Sequence, residues 1–196
     1  AVQGSARVRL TLANPANAEV TVAHEVTYQG KVFQVLIRQG ATWRYLKGTQ
    51  EPPVDWASPS FDDAAWLSGP TGIGYEADQG YESCIATNLS DMRGRYISVY
   101  ARSPFVLDDP SRLTGLVLTL DWDDGYIAYL NGVRVASSSA PDPVAHDRPA
   151  TTSNHEACCG TCAPEEIDLS GYLDVLVAGA NVLALQVHNT SLSSSD

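Results

Sequence analysis

Apolar and polar positions alternate most regularly in residues 116–122, where Leu116, Leu118, Leu120 and Trp122 are interleaved with Val117, Thr119 and Asp121. A period of two is that of a strand with one buried face. Asp123-Asp124-Gly125 interrupts the run with turn residues, and Gly125 can supply the positive φ of a tight turn. A second run, residues 126–130, leads to Asn131-Gly132, followed by Val133-Arg134-Val135-Ala136. Asn-Gly between two such runs is a strong hairpin signal. The pattern predicts an antiparallel meander of three strands joined by a DDG turn and an NG turn.

Alternation recurs along the chain. Val8-Arg9-Leu10-Thr11-Leu12 and Glu19-Val20-Thr21-Val22 flank an Asn14-Pro15-Ala16-Asn17 turn cluster. Val26-Thr27-Tyr28, Gln29-Gly30 and residues 32–37 read as a further hairpin. Trp43 and Tyr45 share one face of a strand. Asp62-Asp63-Ala64-Ala65-Trp66 reads as a helical turn begun by a capping carboxylate, which drops Trp66 onto the core. Residues 76–95 have loop composition, residues 96–102 alternate again, and Phe105 leads through Leu107 into an Asp108-Asp109-Pro110 turn. Residues 137–164 show no period; a connection of that length in a compact domain is functional or clamped. Ile167-Asp168-Leu169-Ser170 follows, and residues 176–188 read as a glycine turn into a final core strand. The sum is an all-β chain of 196 residues with no internal repeat, long enough for one large domain. Residues 1–39 are either integral strands of the sandwich formed by residues 40–196 or the remnant of a preceding module. No Pro/Ser/Gly-rich linker separates the two parts, which favours integral strands.

Charge narrows the partners. Lys and Arg number 12 against 23 Asp and Glu, a net charge of −11, with no basic cluster. A phosphate backbone needs a basic footprint, so nucleic acid and anionic membrane surfaces are excluded. No apolar run approaches the roughly 20 residues of a membrane span, so no membrane insertion is expected. The chain opens on Ala1 without a charged-then-apolar leader, as expected of a mature or excised polypeptide.

The cysteines are Cys84, Cys158, Cys159 and Cys162. An even count in an acidic, Lys-poor chain reads as two disulfides and an oxidising, extracellular or cell-surface location. Adjacent cysteines rarely bond each other, so the expected pattern joins Cys84 to one member of the cluster and closes a small loop with the other two. Cys158, Cys159 and Cys162, with His146 and His155 in the same connection, also offer a zinc reading, which reduced thiolates would require. Asp121, Asp123 and Asp124 are candidate Ca²⁺ ligands, since hard cations take several carboxylate and carbonyl oxygens. They lack the downstream bidentate Glu of an EF-hand, and their competing role is to satisfy backbone N–H groups in the turn. Glu76, Asp78, Glu82, Glu165 and Glu166 have no fixed spacing of the kind a glycosidase carboxylate pair needs. No GxSxG, HExxH, P-loop or GxGxxG motif appears, so no enzymatic activity is expected.

Several of these segments together carry a family resemblance. DDGYIAYLNGVRVA, preceded by GATWRYLKG and FDDAAWLSGPTGIGYE and followed by GANVLAL with its HN and SSD tail, resembles galactose-binding-like jelly-roll domains. Such domains occur in large secreted bacterial proteins, beside lamin-tail or spore-coat-kinase-like modules, and in some glycoside hydrolases. The resemblance covers residues 40–196 in order. It implies an antiparallel β-sandwich of jelly-roll type, often with a structural Ca²⁺, acting as a non-catalytic carbohydrate-binding module for a polysaccharide or glycan. It also implies a site of loop aromatics with polar partners, here Tyr75, Tyr81 and Tyr126 with Arg134 and His188, while Asn131 serves its turn. The competing expectation is a structural or adhesion domain that binds neighbouring domains or subunits of a surface assembly through its edge strands.

Overall fold

A computed structural model of the chain describes residues 4–9, 26–28, 31–78 and 80–195. Its strands in order are β1 (Gly4–Arg9), β2 (Val26–Tyr28), β3 (Lys31–Val35), β4 (Thr42–Lys47), β5 (Leu67–Pro70), β6 (Ile73–Gly74), β7 (Thr87–Asn88), β8 (Ser98–Leu107), β9 (Leu113–Leu120), β10 (Gly125–Leu130), β11 (Val133–Ser138), β12 (Glu165–Asp168) and β13 (Gly179–His188). Helix is confined, among the described residues, to short 3-10 turns such as Glu82–Cys84 and Pro110–Arg112. One sheet runs β11-β10-β13-β8-β4-β5 and the other β12-β9-β1-β3-β2, with β6 and β7 as a separate pair. Pairing is antiparallel except where β1 lies parallel to β3 and β9, and β6 to β7. These parallel pairs depart from the wholly antiparallel sandwich expected, and each joins segments far enough apart in sequence for the crossover a parallel pair requires.

Period two places the core. Val99, Ala101, Phe105 and Leu107 of β8, Leu183 and Leu185 of β13 and Ala128 and Leu130 of β10 meet Leu116, Leu118 and Leu120 of β9 from the other sheet, and Trp43 and Tyr45 of β4 join them. The outer face of β8 is buried as well. Residues 49–66 fold across it, and Trp56, Ala57 and Trp66 form a second cluster with Tyr100 and Ala184. Trp66 therefore packs on the far side of the six-stranded sheet and not in the main core. The segment before it is a turn without helix: the Asp62 carboxylate accepts from Ala64 N–H at 3.0 Å, and Trp66 N–H donates to the Asp63 carbonyl. Arg102 on the same face pins this flap. Its guanidinium donates to Asp63 Oδ2 at 2.6 Å and to the Ser58 carbonyl at 2.8 Å, and lies 5.0 Å from the Phe61 ring.

The three-stranded meander is corrected by the topology. The NG hairpin holds: Asn131 and Gly132 have φ of 51° and 87°, and β10 pairs antiparallel with β11. The DDG segment is no hairpin, because β9 and β10 lie in different sheets and residues 121–124 carry the chain across the end of the sandwich. Asp124, not Gly125, takes the positive φ, at 52°. Gly125 is needed for space instead: a Cβ there would lie 2.9 Å from the Ser139 carbonyl oxygen and 2.9 Å from the Ala150 methyl. The β2–β3 hairpin is antiparallel as expected. The run through Leu12, the turn cluster at residues 14–17, the strand at residues 19–22 and the Gln29-Gly30 turn lie outside the described residues.

Candidate functional site

The residues that cross between the sheets form one wall of a cleft at that end of the sandwich. It is lined by Ile73, Tyr75, Tyr81, Ile85, Met92, Val99, Trp122, Asp123, Ala157, Val187 and Asn189, with Cys84 and Cys159. Each wall has a local cause. Gly72-Ile73-Gly74 runs narrow beside β7, and a Cβ on Gly74 would meet nothing within 4 Å, so the backbone there is open. Tyr75 is fixed by its hydroxyl, which donates to the Ser194 carbonyl at 2.8 Å and accepts from Asn189 Nδ2 at 3.1 Å. Tyr81 leads into the Glu82–Cys84 turn, and its hydroxyl donates to Glu156 across the mouth at 3.2 Å.

The cysteines pair as Cys84–Cys159 and Cys158–Cys162, within the pattern the sequence set out, and none is free. The first bond joins the two loops that face each other across the cleft; the second closes the tight loop beside it. With all four oxidised, thiolates for a zinc site are missing. Buried Asp121, 1% exposed, holds this loop: its carboxylate accepts from Cys158 N–H at 2.6 Å and Cys159 N–H at 3.2 Å. Asp123 accepts from Ala157 N–H at 3.2 Å, and buried Asp124 accepts from the N–H and hydroxyl of Thr190 at 2.8 and 3.1 Å. The three carboxylates thus serve three different segments. Among the described residues no group of three or more His, Cys, Asp or Glu side chains is placed to hold a metal ion.

Of the sequence candidates for ligand contact, the fold brings Tyr75 and Tyr81 together in the cleft and leaves Tyr126, Arg134 and His188 out of its lining. Tyr126 is buried in the core, edge-on to Trp122 with ring centroids 5.1 Å apart; burial, with Glu165 nearby, pushes its phenol up to about 12. Arg134 is exposed on the edge strand β11 and donates to Ser137 Oγ at 2.6 Å. His188 is 1% exposed on the outer face of β13, where its Nδ1 meets the Arg148 carbonyl at 2.7 Å and its Nε2 has no partner among the described residues. A carbonyl only accepts, so Nδ1 carries the hydrogen and Nε2 is left as a buried lone pair. Burial holds the His188 pKa below its ordinary value, against the opposing pull of the Arg148 carbonyl and Glu51. Nearby, Glu51 accepts from His146 N–H at 2.6 Å and from the Tyr100 hydroxyl at 3.0 Å; burial raises the Glu51 pKa, but these bonds outweigh it and the net shift is downward.

Sequence reading missed Ile73, Ile85, Met92, Ala157 and Asn189, and took Trp122 for core alone. Trp122 is both. Its indole donates to Glu165 Oε2 at 2.8 Å and stacks on His155 with centroids 3.6 Å apart, while it also lines the cleft. The available signal was Gly72-Ile73-Gly74-Tyr75, a strand too short and glycine-rich to be ordinary sheet.

No family model and no curated protein matches the sequence. Among solved structures, the chain is similar to a Bacteroides uniformis beta-glucuronidase, with 17% identity, a TM-score of 0.48 and coverage of 78% of this chain and 14% of that one. A beta-glucuronidase from glycoside hydrolase family 2 gives 15%, 0.46, 88% and 15%, and one from an uncultured Clostridium sp. gives 14%, 0.45, 91% and 24%. The chain therefore spans less than a quarter of the length of these enzymes. At such identities and TM-scores, neither activity nor substrate passes from them to this chain.

Proposed function

We propose that the chain is a non-catalytic, extracellular carbohydrate-binding module of a larger protein, a galactose-binding-like jelly roll with residues 1–39 as integral strands, and that the cleft is its glycan site. The observation that carries this reading is the lining itself. Tyr81, partly exposed at the mouth, supplies ring surface for the C–H face of a pyranose above a floor formed by the buried Tyr75 and Trp122, and Asp123 and Asn189 place hydrogen-bonding groups for its hydroxyls. Acceptor-rich loops suit a ligand whose hydroxyls donate. The acids near the mouth are engaged with backbone: Glu76 accepts from Asp78 and Tyr81 N–H groups and Glu82 from Gly80 N–H, which supports binding without catalysis. Two disulfides support an oxidising location.

Affinity electrophoresis against soluble polysaccharides, run with Ca²⁺ and again with EDTA, tests it. Retardation by one glycan class that falls about tenfold in Tyr81→Ala is the expected result, the size of one lost ring contact. No retardation by any glycan in either buffer overturns it. A second reading, a structural or adhesion domain, draws on the two edges of the six-stranded sheet, β5 and β11, where Leu67 and Val133 are exposed. It predicts concentration-dependent association in size-exclusion chromatography without glycan binding.

A further inference from the structure

We infer that the cleft selects uncharged sugars and excludes those that carry a carboxylate, such as uronic and sialic acids; this rests on the reading of the cleft as a glycan site. Among the described residues of the lining, Asp123 carries a carboxylate and none is Lys, Arg or His. The side chains at the mouth add charge of the same sign: Glu156 holds the Tyr81 hydroxyl and Glu76 the Tyr81 N–H.

Carboxylates only accept hydrogen bonds. A sugar hydroxyl entering this cleft can donate to Asp123 or Glu156 while the sugar ring lies on Tyr81, the partly exposed ring of the lining. A sugar carboxylate can donate to neither. It would sit partly dehydrated beside like charge, with no cation among the described lining residues to pair it, the arrangement that most penalises an ionised group. Selectivity here comes from what the site makes unfavourable for the wrong ligand as well as from what it offers the right one.

Matched probes separate this from general repulsion by a chain of net charge −11. Neutral polysaccharides (galactan, mannan, hydroxyethyl cellulose, methyl-esterified polygalacturonate) are compared with carboxymethyl cellulose, de-esterified polygalacturonate and a sialylated oligosaccharide, in low salt and in about 1 M salt, where the screening length is about 3 Å. Expected is binding to a neutral member at least about tenfold tighter than to any carboxylated one, persisting in high salt because partly buried charges are screened least. Asp123→Asn, which keeps an acceptor for Ala157 N–H, should narrow the gap severalfold. Equal or tighter binding of a carboxylated glycan overturns the inference and leaves the glycan site standing. A gap that disappears in high salt also overturns it, assigning the effect to net charge. Binding to no glycan removes the glycan reading itself.

Discussion

Asp121→Ala isolates what the crossing between the sheets does for the clamped loop. The wild-type carboxylate accepts two N–H groups, from Cys158 and Cys159, at a position 1% exposed. A hydrogen bond to a charged acceptor contributes about 1.5–3 kcal/mol, and a donor left buried without a partner costs about the same range. Losing two from one tight loop should therefore cost about 3–5 kcal/mol, less than the sum of independent terms because the loop can relax. For a chain of 196 residues that is a fall in Tm on the order of 10 °C. Asp121→Asn keeps one acceptor but turns an amide N–H toward the second donor, so its loss should be about 2 kcal/mol. The assay is urea unfolding with the disulfides intact, followed by tryptophan fluorescence, once with Ca²⁺ and once with EDTA. A loss below about 1 kcal/mol in the alanine variant would refute the clamp, given two hydrogen bonds of this class. A loss seen only with Ca²⁺ would refute it too, making Asp121 a metal ligand.

Other perturbations have equally definite outcomes. Removing Cys84–Cys159 by double serine substitution opens a link across 75 residues and should cost about 4 kcal/mol by loop entropy, against about 2 kcal/mol for Cys158–Cys162 across four; calorimetry of the two variants orders them. Asn131→Asp leaves a carboxylate against the Val175 carbonyl and Asn181 Oδ1, which now accept from Asn131 Nδ2 at 2.9 and 2.7 Å, and should cost at least about 2 kcal/mol in denaturant unfolding. His188, lowered in the folded state, binds its proton more readily when unfolded, so its effect is absent above the ordinary value of 6.5 and stability falls as pH drops below it, levelling off once the folded pKa is passed. His188→Gln should flatten that part of the stability–pH curve. Gly125→Ala forces a methyl against the Ser139 carbonyl and should lower stability by about 1–3 kcal/mol, as overpacking does.

The elements of this fold were legible where a local rule decides them. Asn131-Gly132 needs two positive φ values and gets them, and the alternation at residues 98–107 and 179–188 is that of two central strands. What period two does not encode is the sheet to which a strand belongs. Residues 116–122 look the same whether Asp123-Asp124 turns back or crosses over, and the decision lies with Asp121, Asp124 and their partners 37 and 66 residues away. Trp66 misleads for a related reason: the outer face of β8 is buried by a flap that the Arg102–Asp63 pair pins. The cleft was half legible. Loop aromatics pointed to Tyr75 and Tyr81, but Ile85, Met92 and Ala157 reach it only through the Cys84–Cys159 link and the fold of the tail.

The parallel seat of β1 has a consequence for the nascent chain. Gly4 is matched with Leu113, so the first described strand to leave the ribosome is completed on one side by a partner 109 residues later. At typical synthesis rates that is a wait of roughly 5–20 s. β3 can occupy one flank early, with β2 already turned against it. The other flank stays open to any extended segment until β9 emerges, and such long-range pairing is intrinsically slow to close. Exposure to mispairing during synthesis is therefore set by that interval, whatever the stability of the finished sandwich.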